Sequence, residues 1–99
     1  MLESTLQRNI RKYLSREKIY NLKYHSCEYT EKGVPDILCC MDGKFIAFEI
    51  KRKGKKNTET IYQQLQSENI KKSNGLCFLV DSIEEVENII KKLRRYDDE

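Results

Sequence analysis

The stretch from Ile37 to Ile50 leaves this chain little structural choice. Residues 37–41 (ILCCM) and 44–50 (KFIAFEI) are apolar runs rich in β-branched and aromatic side chains, and only Asp42 and Gly43 separate them. Two residues of the Asp-Gly type between such runs specify a β-hairpin. With those two residues as the whole loop, Met41 pairs with Lys44, Leu38 with Ala47 and Asp36 with Glu49. Directly opposed residues hold their Cβ atoms roughly 4.5–5.5 Å apart on one face. Residues two apart on a strand share a face, so Lys51 falls on the side of Glu49. Ile46, Phe48 and Ile50 form the opposite face, joined by Ile37 and Cys39, while Phe45, Ala47, Glu49 and Lys51 share the first. Two partly apolar faces describe a central strand covered on both sides.

That register carries chemistry. Taken singly, a Glu-x-Lys on a strand reads as a solvated ion pair, and an aspartate after a proline as a turn residue. Placed opposite one another, two carboxylates repel, and each resists ionising unless a positive charge lies between them. A hard divalent cation meets that need. Mg²⁺, or Mn²⁺ in its place, is typically held by one or two carboxylates and by phosphate oxygens of a substrate. A lysine beside the ion orients or deprotonates an attacking water, or stabilises charge developing on phosphate. Asp36, Glu49 and Lys51 thus point to metal-assisted phosphodiester hydrolysis. A longer hairpin loop or a bulge would break the set by moving Asp36 off Glu49.

The rest of the chain supplies a frame. Leu2, Leu6, Ile10, Tyr13 and Leu14 recur at helical spacing and predict an amphipathic helix over 2–17. Residues 19–25 alternate, with Tyr20, Leu22 and Tyr24 on one side and Asn21, Lys23 and His25 on the other, as in a strand with one polar face. A polar loop over 26–33 then enters the hairpin through the chain's only proline, Pro35. A second helix is expected over 59–73, with Thr60 and Gln63 spaced as a capping box and Ile61, Leu65 and Asn69 as a thin inward stripe. Asn74-Gly75 ends it, and Leu76–Val80 reads as an apolar strand. Ser82 and Glu85 cap a final helix with Ile83, Val86, Ile90 and Leu93 inward. The order is α-β-β-β-α-β-α: an α/β (α+β) fold with a mixed four-stranded sheet flanked by helices. The 99 residues make one domain, 1–99.

Composition excludes several classes. No apolar run approaches a membrane span and the N-terminus has no hydrophobic signal region, so a cytoplasmic, non-membrane protein is expected. Cys27, Cys39, Cys40 and Cys77 form no Cys-x-x-Cys, and His25 is the only histidine, which argues against a zinc site. Buried reduced thiols are the expected use of these cysteines. A net charge of +3 is too mild to identify a nucleic-acid binder by itself, but its distribution is uneven. Arg52, Lys53, Lys55 and Lys56 follow Lys51 directly, as flexible cations suited to phosphate contacts beside the carboxylates. Lys91, Lys92, Arg94 and Arg95, ahead of the acidic end 97–99, read as solvated surface.

Gly33-Val34-Pro35-Asp36, a short apolar strand, Asp-Gly, a second strand and Glu49-Ile50-Lys51 resemble the core of the PD-(D/E)XK nuclease superfamily. Within it the chain is most similar to small stand-alone VRR-NUC domains of phages and bacteria, nearly end to end. The resemblance implies a restriction-endonuclease-like core and a Mg²⁺-dependent endodeoxyribonuclease that leaves a 5′-phosphate and a 3′-hydroxyl. It implies metal ligation by Asp36 and Glu49, by the Ile50 carbonyl and with help from Glu3. Lys51 and Gln63 complete the expected catalytic set, and Lys23, Arg52, Lys53, Lys55 and Lys56 the expected DNA contacts. Gln63 and Gln64 are adjacent, so the family glutamine falls at either. Glu3 has a second reading as a helix-start residue favoured by the dipole, and Gln63 as a capping residue. The resemblance further implies a homodimer acting on branched DNA, such as four-way (Holliday) junctions, with no small organic cofactor. The alternatives are a nickase or flap nuclease, an RNA nuclease with the same metal chemistry, and a non-catalytic DNA-binding or assembly module on a nuclease-like fold.

Overall fold

The structure, a computed structural model, describes residues 1–97; the last two residues of the acidic end lie outside the described residues. The hairpin forms as the sequence dictates. β2 (Ile37–Met41) and β3 (Lys44–Ile50) are antiparallel, with Met41 opposite Lys44, Leu38 opposite Ala47 and Ile37 opposite Phe48. Asp42 and Gly43 both take positive φ (53° and 80°), the type I′ geometry whose twist matches the flanking strands. β1 (Tyr20–Lys23) pairs antiparallel with β2, and β4 (Leu76–Val80) lies parallel to β3, giving the order β1-β2-β3-β4.

Three helices cover this sheet unequally. α1 (Glu3–Arg16) and α3 (Ile83–Asp97) bury the face formed by Ile37, Cys39, Met41, Ile46, Phe48, Ile50 and Val80. Leu6, Ile10, Tyr13, Leu14, Val86 and Ile90 complete that core, and Ile83 and Leu93 pack at its margin. Arg94 ties the two helices at their ends, donating to the Glu17 carboxylate at 2.6 Å and to the Glu17 carbonyl at 2.7 Å. Leu2, expected inward, is instead the residue before α1 and 66% exposed, so the inward stripe starts at Leu6.

The opposite face is only half covered. α2 (Ile61–Lys72) lies over the β3–β4 side, where Ala47, Glu49 and Cys77 are buried. The stripe expected to turn inward does not: Ile61 is 61% and Leu65 50% exposed, and no α2 residue is buried. The helix is held by polar and backbone contacts instead. Gln66 Nε2 donates to the Lys32 carbonyl at 3.1 Å, and the Lys32 ammonium sits 5.3 Å from the Tyr62 ring centre. Toward β1 nothing covers the sheet among the described residues, so Tyr20 (67%) and Leu22 (42%) lie exposed on the apolar side of the alternation. Cys39 and Cys77 are buried as expected, burial pushing the Cys39 thiol up to about 12. Cys27 and Cys40 are exposed free thiols, contrary to expectation. Cys40 faces the uncovered side because it alternates with Cys39.

Candidate active site

Each side chain of the carboxylate cluster is delivered by a local rule. The register places Asp36 one step beyond the Ile37–Phe48 pair, opposite Glu49, and the Tyr24 N–H donates to the Asp36 carbonyl at 2.8 Å, fixing its backbone. Asp36 Oδ2 accepts the Ile50 N–H at 2.8 Å. The aspartate is thereby anchored across the end of β3, on the residue that separates Glu49 from Lys51.

Glu49 is the exceptional group. It is only 5% exposed, one of two buried polar or charged residues among the described residues, in a seat roofed by α2. Oε1 accepts a bond from Gln63 Nε2 at 3.1 Å, whereas Oε2 is buried with no hydrogen-bond partner. Burial pushes the carboxyl up to about 9; Asp36 adds to the rise and Glu3 adds less, while the Lys51 ammonium opposes it. With both carboxyls ionised Oε2 has no donor, which costs about 1–3 kcal/mol; a proton shared with Asp36, or a cation between the two, would remove that cost. The donor set fits a hard divalent ion: Glu49 Oε2, the Asp36 carboxylate and the backbone oxygen of Ile50 would all be hard oxygen ligands. Among the described residues no three His, Cys, Asp or Glu side chains converge as a metal-holding group. Glu3, half-buried at the start of α1, acts on Glu49 through its charge, and the protein side-chain share of such a site is the pair Asp36 and Glu49.

Gln63 serves both readings at once. Its Oε1 accepts the Thr60 N–H at 2.8 Å while its own N–H donates to Thr60 Oγ1 at 3.2 Å, closing a capping box at the start of α2. Its other side-chain atom, Nε2, is the one that reaches Glu49. The amide is therefore held by the helix start and handed to the carboxylate with its donor forward. The adjacent Gln64 is exposed, and of the two it is Gln63 whose side chain reaches the carboxylate.

Gly33 explains how α2 comes so close. Its φ is +78°, and a Cβ there would sit 2.3 Å from the Tyr62 carbonyl carbon and 2.6 Å from the Gln63 nitrogen. The loop before Pro35 thus presses bare backbone against the first turn of α2. In the sequence, the only local sign of this close approach is a glycine two residues ahead of the chain's only proline.

The basic segment after Lys51 is a folded arch, not a flexible arm. The Lys55 N–H returns to the Arg52 carbonyl at 2.9 Å, the Gly54 N–H donates to Asp81 Oδ2 at 3.3 Å, and a 3-10 turn follows over Lys56–Thr58. Arg52, Lys53 and Lys55 are exposed and available to phosphate. Lys56 is not: its ammonium lies 2.7 Å from Glu85 Oε2, and that carboxylate also accepts the Asp81 N–H. Glu85 thus braces the arch instead of completing a capping box on Ser82, although Ser82 Oγ accepts the Glu85 N–H as expected. Lys51 is half-buried and acts on Glu49 by charge, without a direct ion pair. Lys23 stands on the exposed edge strand, paired with Ile37 on the far side of Asp36 from the arch.

The architecture is a hairpin presenting Asp36 and Glu49-Ile50-Lys51 under a capped helix. The same fold occurs in a solved structure titled VRR_NUC domain protein, which superposes with a TM-score of 0.75, covers 92% of this chain and 86% of its own, and shares 19% identity. No protein-family model matches the chain, and no curated protein matches its sequence. No helix among the described residues is long and apolar enough to cross a membrane.

Proposed function

We propose that the protein is a Mg²⁺-dependent endodeoxyribonuclease, with Mn²⁺ able to substitute. The observation that carries this reading is the buried, partnerless Oε2 of Glu49 beside Asp36, under a glutamine that donates to the other oxygen. A divalent ion bound there supplies a polarised phosphate and an acidified water. Asp36 and Glu49 hold that charge, with Ile50 backbone oxygen and the charge of Glu3 in support. Gln63 orients Glu49 by donating to Oε1. Lys51 orients the attacking water and stabilises charge building on the phosphate. Arg52, Lys53 and Lys55 bind the backbone of the substrate on the arch side. The resemblance to VRR-NUC domains supports branched DNA, including four-way junctions, as the substrate and a homodimer as the working form, whose two-fold symmetry would match two sites to paired strands.

The test is cleavage of labelled linear duplex, flap and four-way-junction DNA with Mg²⁺, with Mn²⁺ and with EDTA. Symmetric metal-dependent cuts on the junction, lost in Glu49→Gln and Lys51→Ala while binding persists, are the expected result. Cleavage of flaps or single nicks in its place would make the protein a flap nuclease or nickase. Salt-sensitive binding with no cleavage of any substrate would leave only a DNA-binding module.

A further inference from the structure

A groove lies between α1 and the edge strand β1, outside the carboxylate pair. Ser4, Gln7, Arg8, Arg11, Lys12, Ser15 and Lys23 enclose about 490 Å³. Four of these seven are cations, none is an acid and none is apolar. Among the described residues no salt bridge engages Arg8, Lys12 or Lys23, in contrast to Lys56 and Arg94, which are both paired. Arg11 is held without being neutralised. Its Nε donates to Asn21 Oδ1 at 2.9 Å, and Asn21 is fixed in turn by donating to Ser15 Oγ at 3.1 Å and to the Ile19 carbonyl at 2.9 Å. An arginine oriented by an amide keeps its full charge and has lost its rotamer freedom before any ligand arrives. Gln7 lies nine-tenths buried in the same groove, and its Oε1 has no partner.

We infer that this groove is a second nucleic-acid contact, so that the substrate is held on both sides of the carboxylate cluster. This rests on the nuclease reading above. Strand order supports it: Lys23 on β1 and the arch after β3 stand on opposite sides of Asp36 and Glu49. Gln7 lies one helical turn beyond Glu3, whose charge reaches Glu49, and the groove runs from there along α1. From Ser4 to Ser15 the helix advances about 16 Å, over which one strand of a duplex presents four or five phosphates. An acidic protein partner would want an apolar anchor at the centre of its contact, and the groove has none. Contacts of this kind are to phosphate and carry no base sequence.

The experiment is equilibrium binding and steady-state cleavage of duplex and four-way-junction DNA over a salt series, for wild type, Arg8→Ala/Lys12→Ala and Arg11→Gln. Arg8 and Lys12 are exposed, so the double variant keeps its thermal midpoint. The expected result is a fall in the slope of log K against log salt of about two units for the double variant. KM should rise at least tenfold while kcat is unchanged, and Arg11→Gln should shift KM in the same direction. Wild-type cleavage with the same slope and KM in all variants would overturn the groove and leave the nuclease standing, pointing the cations to a non-nucleic-acid partner. Salt-dependent binding without wild-type cleavage, weakened in the variants, would sink the nuclease and keep the groove. No wild-type binding would sink both.

Discussion

Glu49 is where a single residue decides the behaviour of the site. An ordinary glutamate titrates near 4.5, and burial pushes this one up to about 9. The folded, metal-free protein therefore retains a proton that the unfolded chain releases once pH passes about 4.5. Stability should be full below that value, fall steadily as pH rises toward about 9, and flatten above it. Urea unfolding of wild type and Glu49→Gln in EDTA from pH 5 to 9 measures this; the variant should lack the slope and be the more stable protein at pH 8. Gln63 permits a sharper dissection. Gln63→Glu keeps an oxygen for the Thr60 N–H, so α2 should remain capped, but it places a second carboxylate against Glu49 Oε1. Gln63→Ala loses both side-chain bonds, the half of the capping box made to the Thr60 N–H included, and a net hydrogen bond is worth about 1 kcal/mol. The expected outcome is cleavage lost by at least tenfold in both variants, with a drop in unfolding free energy from the missing bond to Thr60 in Gln63→Ala alone. Equal destabilisation with unchanged cleavage would return Gln63 to a purely structural part.

At the scale of elements, α2 is the weak member held by fit. It buries no residue of its own and relies on its capping box, on Gln66 bonded to Lys32 and on the backbone of Gly33 against its first turn. Gly33→Ala must therefore do more than strain a positive φ. With a Cβ 2.3 Å from the Tyr62 backbone, α2 has to move, and a shift of this kind costs about 1–3 kcal/mol on top of the strain. Hydrogen exchange should show opening of α2 without opening of the β2–β3 hairpin, and kcat should fall because Gln63 travels with the helix. The hairpin itself was legible in advance, since a two-residue loop fixes register through local chain geometry. The bounds expected for β2, β3 and β4 agree with the fold, and α1 and α2 differ from expectation by one or two residues at each end. The faces were less legible. Leu2, Ile61 and Leu65 follow helical apolar spacing yet lie exposed, and Tyr20 and Leu22 form the exposed side of β1. Periodicity says which residues share a face and not whether another element covers it.

At the scale of the whole molecule, a metal bound as proposed would compete with the proton for one buried seat. Ligation needs the Glu49 carboxylate, so binding of Mg²⁺ below pH 9 should release a proton and stabilise the fold. Calorimetric titration in two buffers of different ionisation enthalpy should give different apparent heats for wild type and none for Glu49→Gln. EDTA should reverse the accompanying rise in Tm. Sequence by itself determined the hairpin, the opposition of Asp36 to Glu49 and the alternation that adds Lys51, because all three follow from the short-range geometry of one turn. It also placed the basic run after Lys51, but not the bond of Lys56 to Glu85, which joins residues 29 apart. Only the tertiary structure decided that Glu49 is buried with one oxygen unpartnered, that Gln63 caps a helix and serves the carboxylate together, and that Arg8, Arg11, Lys12 and Lys23 line one groove. Those facts depend on how α1 and α2 dock on the sheet. Docking is set by backbone approach and desolvation between segments far apart in the chain, which no local pattern encodes.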